Sequence, residues 1–273
     1  MFTKRYYLKD LSEFFKDSEA YFDYFEIAHL DFEKSKLKRP ALVVVPGGGY
    51  QFVANREAEP IALRFLVEGF NTFVITYSIN KKYPAPHLEL AFVIDFINKH
   101  HEEFMIIQDK ISLVGFSAGG HLVASYSCYY KELAELLKID SKGLKPLSIG
   151  LAYPVIHMDP SRNAGTVQVI TEKDPELMEK MSVEKHITKE YPPTFIFTTK
   201  PDDCVPINNS TMLVEVLNRK GVENEFHLFE NGGHGGSLFT NAVYETTEYM
   251  EEFAENKRWP EYMSKFIFKL LNK

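Results

Sequence analysis

Ile111-Ser112-Leu113-Val114-Gly115-Phe116-Ser117-Ala118-Gly119-Gly120-His121 is the stretch from which the rest of the chain is read. Its apolar and small residues suit a short buried strand, and the run from Gly119 to about Lys138 reads as a helix. Between them Gly-x-Ser-x-Gly imposes a sharp turn, the pattern of a nucleophile elbow. The two glycines let strand and helix pack closely around a serine in strained backbone geometry, so its hydroxyl projects at the head of a sheet. The N–H of Ala118, in the first helical turn, then points where negative charge develops on an attacked carbonyl oxygen. A plain glycine-rich turn is the competing reading; the strand before and the helix after argue against it.

Outward from this stretch the chain alternates. Ala41-Leu42-Val43-Val44-Val45 is a continuous apolar run, as expected of a strand buried on both faces, and it breaks at Pro46-Gly47-Gly48-Gly49-Tyr50. A helix follows over about 57–68, with Pro60 in its first turn and Gly69 ending it. Residues 71–77 are strand-like. Leu90, Ile94 and Ile97 then mark one face of a helix that ends near His100-His101. After the elbow helix, residues 149–153 form another strand, so the order specifies a parallel sheet covered on both faces. Toward the N-terminus the aromatic, partly alternating residues 21–30 predict edge strands, and Lys34 to Arg39 a basic turn. Residues 155–191, with Pro160 and Pro175 and no strand pattern, predict a small cap-like excursion over the sheet's active edge within a single domain. Alternation resumes at residues 194–199. A helix runs from Pro206 to Lys220 with Leu213, Val216 and Leu217 inward, and Phe226 and Leu228 mark the last strand. Two terminal helices are expected, the second with a core stripe of Met263, Phe266, Ile267 and Leu270.

Composition narrows the function classes. At 273 residues, 45% hydrophobic and 25% charged, the chain is globular and long enough to bury a sizeable core. A net charge of −7 argues against nucleic acid or an anionic membrane as partner. No apolar run approaches a membrane span, and the N-terminal residues lack the apolar core of a signal peptide. Cys128 and Cys204 are too few for a disulfide framework, so a reduced, cytoplasmic protein is expected.

A serine hydroxyl is a poor nucleophile until a base takes its proton, and that base needs a carboxylate to fix its tautomer. In this architecture the expected order is Ser, then Asp or Glu, then His. Lys200-Pro201-Asp202-Asp203-Cys204-Val205-Pro206 follows one late strand, and Asn231-Gly232-Gly233-His234-Gly235-Gly236 follows the next. Catalytic groups of open α/β sheets gather at the carboxyl ends of strands, where three such loops can meet. Ser117 is thus the expected nucleophile, His234 the base and Asp202 its orienting acid, with Asp203 the runner-up. Glycines on both sides make a core-packing role for His234 unlike its context. His100 and His101 read as helix-end residues, and His29 and His227 as structural. His121 lies near the site but too close to Ser117 to be the base. Cys204 has no base of its own and reads as structural. Gly48 and Gly49, with Ala118, supply N–H groups for an oxyanion hole. A phosphate loop is the alternative there, disfavoured because no Gly-Lys-Ser/Thr follows and Arg56 is the nearest downstream cation.

Together these motifs resemble the α/β-hydrolases of the esterase/lipase type, and among them the bacterial acetyl-xylan-esterase-like and carbohydrate-esterase-like proteins. The likeness rests on the Pro46–Tyr50 loop, the helix start Glu57-Ala58-Glu59-Pro60, the elbow Gly115-Phe116-Ser117-Ala118-Gly119-Gly120-His121 and Gly232-Gly233-His234-Gly235, over about Pro40 to Ser237. It implies the α/β-hydrolase fold, with a mostly parallel central sheet and helices on both faces. It also implies a serine esterase of short-chain acyl esters, with acetylated sugars or xylo-oligosaccharides as expected small-molecule substrates. Lipases of this broad group often carry His where Pro46 stands, which weakens any inference toward lipid. The chemistry calls for no metal and no organic cofactor. Two rivals remain. A small-peptide hydrolase would want an amine-binding carboxylate pair that the sequence does not display, and a silent binding module would not need an intact triad and glycine loop.

Overall fold

In the computed structural model, which describes residues 2–27, 37–244, 246 and 250–273, eight strands form one sheet. They are β1 (Phe2–Tyr7), β2 (Tyr21–Glu26), β3 (Arg39–Val45), β4 (Asn71–Thr76), β5 (Ile106–Phe116), β6 (Ile149–Ala152), β7 (Thr194–Thr199) and β8 (Asn224–Phe229), in the spatial order β1-β2-β4-β3-β5-β6-β7-β8. β1 and β2 are antiparallel, β2 is antiparallel to β4, and from β4 to β8 every pairing is parallel. The helices are α1 (Leu8–Leu11), α2 (Glu59–Val67), α3 (Ala85–Lys99), α4 (Ala118–Leu137), α5 (Ala164–Thr171), α6 (Pro175–Met181), α7 (Asn208–Lys220), α8 (Asn241–Tyr244) and α9 (Trp259–Leu271).

The apolar run of β3 has a direct physical reading. Val43 and Val45 pack into a core shared with α3, α4 and α7, while Leu42 and Val44 pack into a second core with α2 and α9. Successive side chains point to opposite faces, so a strand covered on both sides must be apolar at every position. Ile196 and its neighbours Phe195 and Phe197 divide between the two cores in the same way. The stripe Met263, Phe266, Ile267 and Leu270 of α9 is buried as expected.

Several sequence expectations change. β1 was not foreseen; it lies at the sheet's edge, with Lys4 and Arg5 exposed and Tyr6 buried. β5 begins at Ile106 instead of Ile111, its exposed residues 107–109 hiding the strand from an apolar pattern. The first of the two expected terminal helices is the single turn α8, followed by 3₁₀ turns at Glu251–Phe253 and Asn256–Arg258. Of residues 21–30, read as edge strands, Tyr21–Glu26 forms a strand that lies inside the sheet, paired with β1 on one side and β4 on the other, because the unforeseen β1 takes the edge. Residues 28–30, His29 among them, and residues 34–36 of the expected basic turn lie outside the described residues. Residues 155–191 contain α5, α6 and a 3₁₀ turn at Val183–Lys185. No helix of the described residues is long and apolar enough to cross a membrane.

Because β3 to β8 run parallel, all of them end at one edge of the sheet, and the loops after β3, β5, β6, β7 and β8 bring the residues of the site there. One tight junction lies between β5 and α4. A Cβ on Gly119 would stand 2.2 Å from the Val45 carbonyl oxygen and 2.3 Å from that of Pro46, and one on Gly115 would stand 2.4 Å from the Gly119 oxygen. We expect Gly119→Ala to cost about 3 kcal/mol or more in urea denaturation, because backbone must move to admit the methyl. Gly221→Ala is the comparison: φ is +69° with nothing within 4 Å, so strain alone should cost about 1 kcal/mol. Equal losses would show that helix and strand separate easily.

Candidate active site

Ser117 sits between β5 and α4 with φ 51° and ψ −117°, a conformation that L-residues adopt at a cost and that clusters at functional sites. Three backbone bonds hold it there, one of them from the His121 N–H to the Ser117 carbonyl at 3.1 Å. Its N–H donates to the Ala152 carbonyl at 2.9 Å, and its own carbonyl also accepts from Val155 N at 3.2 Å. The side chain is thereby turned out of the sheet's end.

His234 reaches it from the loop after β8. The Ser117 hydroxyl and His234 Nε2 are 2.8 Å apart, and His234 Nδ1 is 2.8 Å from Asp202 Oδ2. The other oxygen of Asp202, Oδ1, accepts from Cys204 N at 3.0 Å and Val205 N at 2.8 Å. With Nδ1–H donating to the carboxylate, Nε2 is left as the acceptor that faces the hydroxyl. The Asp202 side chain is 1% exposed and that of His234 17%, so the acid is sheltered while the imidazole keeps access to the cleft. Asp203, the runner-up, is exposed. The structure therefore brings together Ser117, His234 and Asp202 from loops far apart in the chain.

Gly48 and Gly49 line the same cleft, of about 310 Å³, as Ser117 and His234. Among the described residues the N–H groups of Gly48, Gly49 and Ala118 donate to no other group of the chain. Gly47 differs: its N–H donates to Glu57 Oε2 at 2.8 Å. Arg56, Arg162 and Cys204 also line the cleft. Cys204, read above as structural, is exposed there instead; its backbone N–H is tied to Asp202, which leaves the thiol outward. The cleft walls desolvate this exposed thiol in part, which raises its pKa, and Asp202 and Asp203 add to the rise, so it stays a thiol at neutral pH.

Beneath the site lies a network that sequence reasoning missed. Glu57 is 2% exposed. Its Oε2 holds Gly47, and its Oε1 accepts from the Tyr153 hydroxyl at 2.8 Å. That hydroxyl in turn accepts from Ser237 N at 3.1 Å, and the Tyr153 ring meets the His234 ring edge-on at 5.0 Å. Trp259 at the start of α9 donates from Nε1 to the Ser237 carbonyl at 2.8 Å. Glycine loop, histidine loop and C-terminal helix are thus joined through one buried carboxyl.

His121 is fully buried, near the site but not part of the relay. Its Nε2 is 2.8 Å from the Met181 carbonyl, which can only accept, so Nδ1 takes the Tyr50 hydroxyl's proton bond at 2.8 Å. Burial lowers its pKa to about 4, against the raising influence of the Met181 carbonyl. It is a neutral tie between the glycine loop, α4 and α6. His100 and His101 bond the carbonyls of Phe96 and Asn98 at the end of α3, and His227 pairs with Glu225 and stacks on Tyr262.

A parallel sheet with an antiparallel edge, a strained serine after the central strand and its acid and histidine after the last two strands are now in place. Residues 30–146 match the BD-FAE family model and residues 161–258 the prolyl oligopeptidase family. The chain is an α/β-hydrolase. It is 30% identical over 208 residues to endo-1,4-beta-xylanase B of Butyrivibrio fibrisolvens, covering 73% of this chain and 33% of that protein. It is 28% identical to the acetylxylan esterase of Xylanibacter ruminicola, covering 71% and 40%. It thus spans well under half the length of these two curated relatives. Among solved structures, the acetyl ester-xyloside bifunctional hydrolase of Caldicellulosiruptor lactoaceticus superposes with a TM-score of 0.78 at 27% identity, over 92% of this chain and 88% of that one.

Burial is the largest influence on Glu57 and raises its pKa, while its bonds from Tyr153 and Gly47 lower it. The folded chain then holds this proton more tightly than the unfolded chain. Its contribution to stability therefore declines as pH rises from the ordinary carboxylate range toward the raised value. Glu57→Gln removes that decline. Its stability deficit relative to the parent should shrink as pH rises above the ordinary carboxylate range in urea titrations; a deficit independent of pH would count against an ionising Glu57.

Proposed function

We propose that this α/β-hydrolase is a serine esterase that releases short acyl groups, acetate foremost, from carbohydrate. The observation that carries the reading is the unbroken hydrogen-bonded series Ser117–His234–Asp202 opening on a cleft. Ser117 Oγ attacks the ester carbonyl while His234 Nε2 takes its proton, and Asp202 stabilises the resulting imidazolium. The N–H groups of Gly48, Gly49 and Ala118 receive the oxyanion; each such donor contributes about 3 kcal/mol to barrier lowering where one has been removed. His234 protonates the departing alcohol, and water repeats the sequence on the acyl-enzyme. The reaction needs no cofactor. Acetylated sugar as substrate takes its support from the names of the relatives and from the polar residues of the cleft, among them Gln51, Asn163 and Thr166. Residues 155–191 act in this reading as a small cap, since Arg162 to Thr166 line the cleft.

The match of residues 161–258 to the prolyl oligopeptidase family favours a second reading, a small-peptide hydrolase on the same frame. It predicts turnover of aminoacyl p-nitroanilides at rates rivalling p-nitrophenyl acetate, whereas the esterase reading predicts that the acetate is strongly preferred.

With p-nitrophenyl acetate, Ser117→Ala should lower kcat by about 10³-fold or more, and a fluorophosphonate probe should label the parent and not the variant. Asp202→Asn should lower kcat by about 10²- to 10⁴-fold and Asp203→Asn far less. Undiminished turnover in Ser117→Ala would remove the nucleophile; the opposite ranking of the two aspartates would move the acid to Asp203.

A further inference from the structure

A second depression, of about 500 Å³, adjoins the first, and Arg162 and Asn163 form the wall common to both. Its far side is one face of α7. Asn208, Thr211, Met212 and Glu215 fall at i, i+3, i+4 and i+7, opposite the buried Leu213, Val216 and Leu217. From the region between β6 and α5 comes His157, whose Nδ1 is 2.7 Å from Glu184 Oε1, a carboxylate whose side chain is 9% exposed. That pairing fixes the Nδ1–H tautomer and leaves Nε2 as an acceptor without a partner among the described residues. Nor do the side chains of Asn208 and Glu215 bond to another group of the described chain.

The chemistry of this lining is mixed in one consistent way. Glu215 and His157 Nε2 accept, Arg162 donates, Asn208 does both, and Pro206 and Met212 add apolar surface. A hydroxyl both donates and accepts, and a sugar ring also has C–H faces that seek apolar contact. An anion would meet Asp159 and Glu215, and a purely apolar group would strand the polar side chains. We propose that this depression is a subsite for neutral sugar rings beyond the one that bears the scissile ester, so that the enzyme favours acetylated oligosaccharides over acetylated monosaccharides. The inference deepens the esterase reading and rests on it for the direction of the substrate chain. Contacts to remote rings raise kcat/KM by adding binding that the transition state retains.

Two measurements test it. The first compares kcat/KM for mono-acetylated xylotriose and mono-acetylated methyl xyloside. The parent should favour the trisaccharide by about tenfold or more, and Glu215→Ala and Asn208→Ala, both surface changes on α7, should bring that ratio toward one. Using a ratio cancels any general loss of turnover or folding in a variant. The second is calorimetric titration of unacetylated xylotriose into Ser117→Ala, alone and combined with Glu215→Ala, which needs no turnover. Binding should be seen in the first protein and lost in the second. A ratio near one in the parent, a ratio unchanged in both α7 variants, or absent binding would each overturn the subsite. Binding without any hydrolysis of p-nitrophenyl acetate by the folded parent would instead overturn the esterase reading and uphold the subsite.

Discussion

Everything at the active edge depends on how closely the end of β5 can approach the start of α4. Gly115 and Gly119 leave no room there for a methyl group. Because the strand stops and the helix starts within one residue, Ser117 has no choice but a left-handed backbone, and its hydroxyl has no direction but outward. The strain is held by Ala152, at the end of β6 in a sheet buried on both faces, and by Val155 in the loop just beyond it. A looser junction would let Ser117 relax into an ordinary turn and would carry Oγ away from an imidazole that arrives from 117 residues further along the chain. The rigidity of the core is thus what converts a glycine-rich turn into the fixed hydroxyl that the proposed chemistry requires.

The histidine side of the site is positioned by different means. Its loop contains glycines and little apolar surface, so it cannot be held by packing of its own. Asp202 fixes the ring by one nitrogen, the Tyr153 ring supports one edge, and Trp259 anchors the Ser237 carbonyl just beyond. Tyr153 itself has φ 38° at the end of β6, a second strained residue at the same edge. That strain aims its hydroxyl at both Glu57 and Ser237, joining the loops after β3 and β8 below the cleft.

The sequence was legible where chemistry depends on local pattern. Ser117 stood out because two glycines and a strand–helix transition constrain it within a few residues. His234 stood out because its glycine neighbours exclude a packing role, and Asp202 was distinguishable from Asp203 by following its strand directly. The parallel order of the central strands followed from the alternation of apolar runs and amphipathic helices. What could not be read was tertiary. Glu57 and Tyr153 are 96 residues apart, and nothing near either one announces a partner; Glu57 looked like part of a helix start, and in the structure it precedes that helix in a 3₁₀ turn. β1 escaped notice because an edge strand buries one face at most and tolerates the lysine and arginine that disguise it. Cys204 was misread because exposure on a cleft is a property of the fold, not of the neighbouring letters.

The position of Glu57 carries a further physical consequence for the proposed chemistry. Its Oε2 accepts from Gly47, next in sequence to the Gly48 and Gly49 N–H groups that would receive an oxyanion. A full negative charge so near would oppose the charge developing on the substrate, because low-dielectric surroundings weaken screening. The same burial that removes screening also raises the Glu57 pKa and favours the neutral carboxyl, which lessens that opposition. The bonds from Gly47 and Tyr153 pull the other way, stabilising the carboxylate and the loop geometry together. Glu57 is therefore held between two requirements: enough acceptor strength to fix the glycine loop, and not so much charge that the loop's exposed N–H groups lose their effect. Asp202 faces no such conflict, since its charge is aimed at the imidazolium that forms as the oxyanion does. Two buried carboxyls at one site thus serve different ends: Asp202 through the charge it presents to His234, Glu57 through the backbone it holds in place.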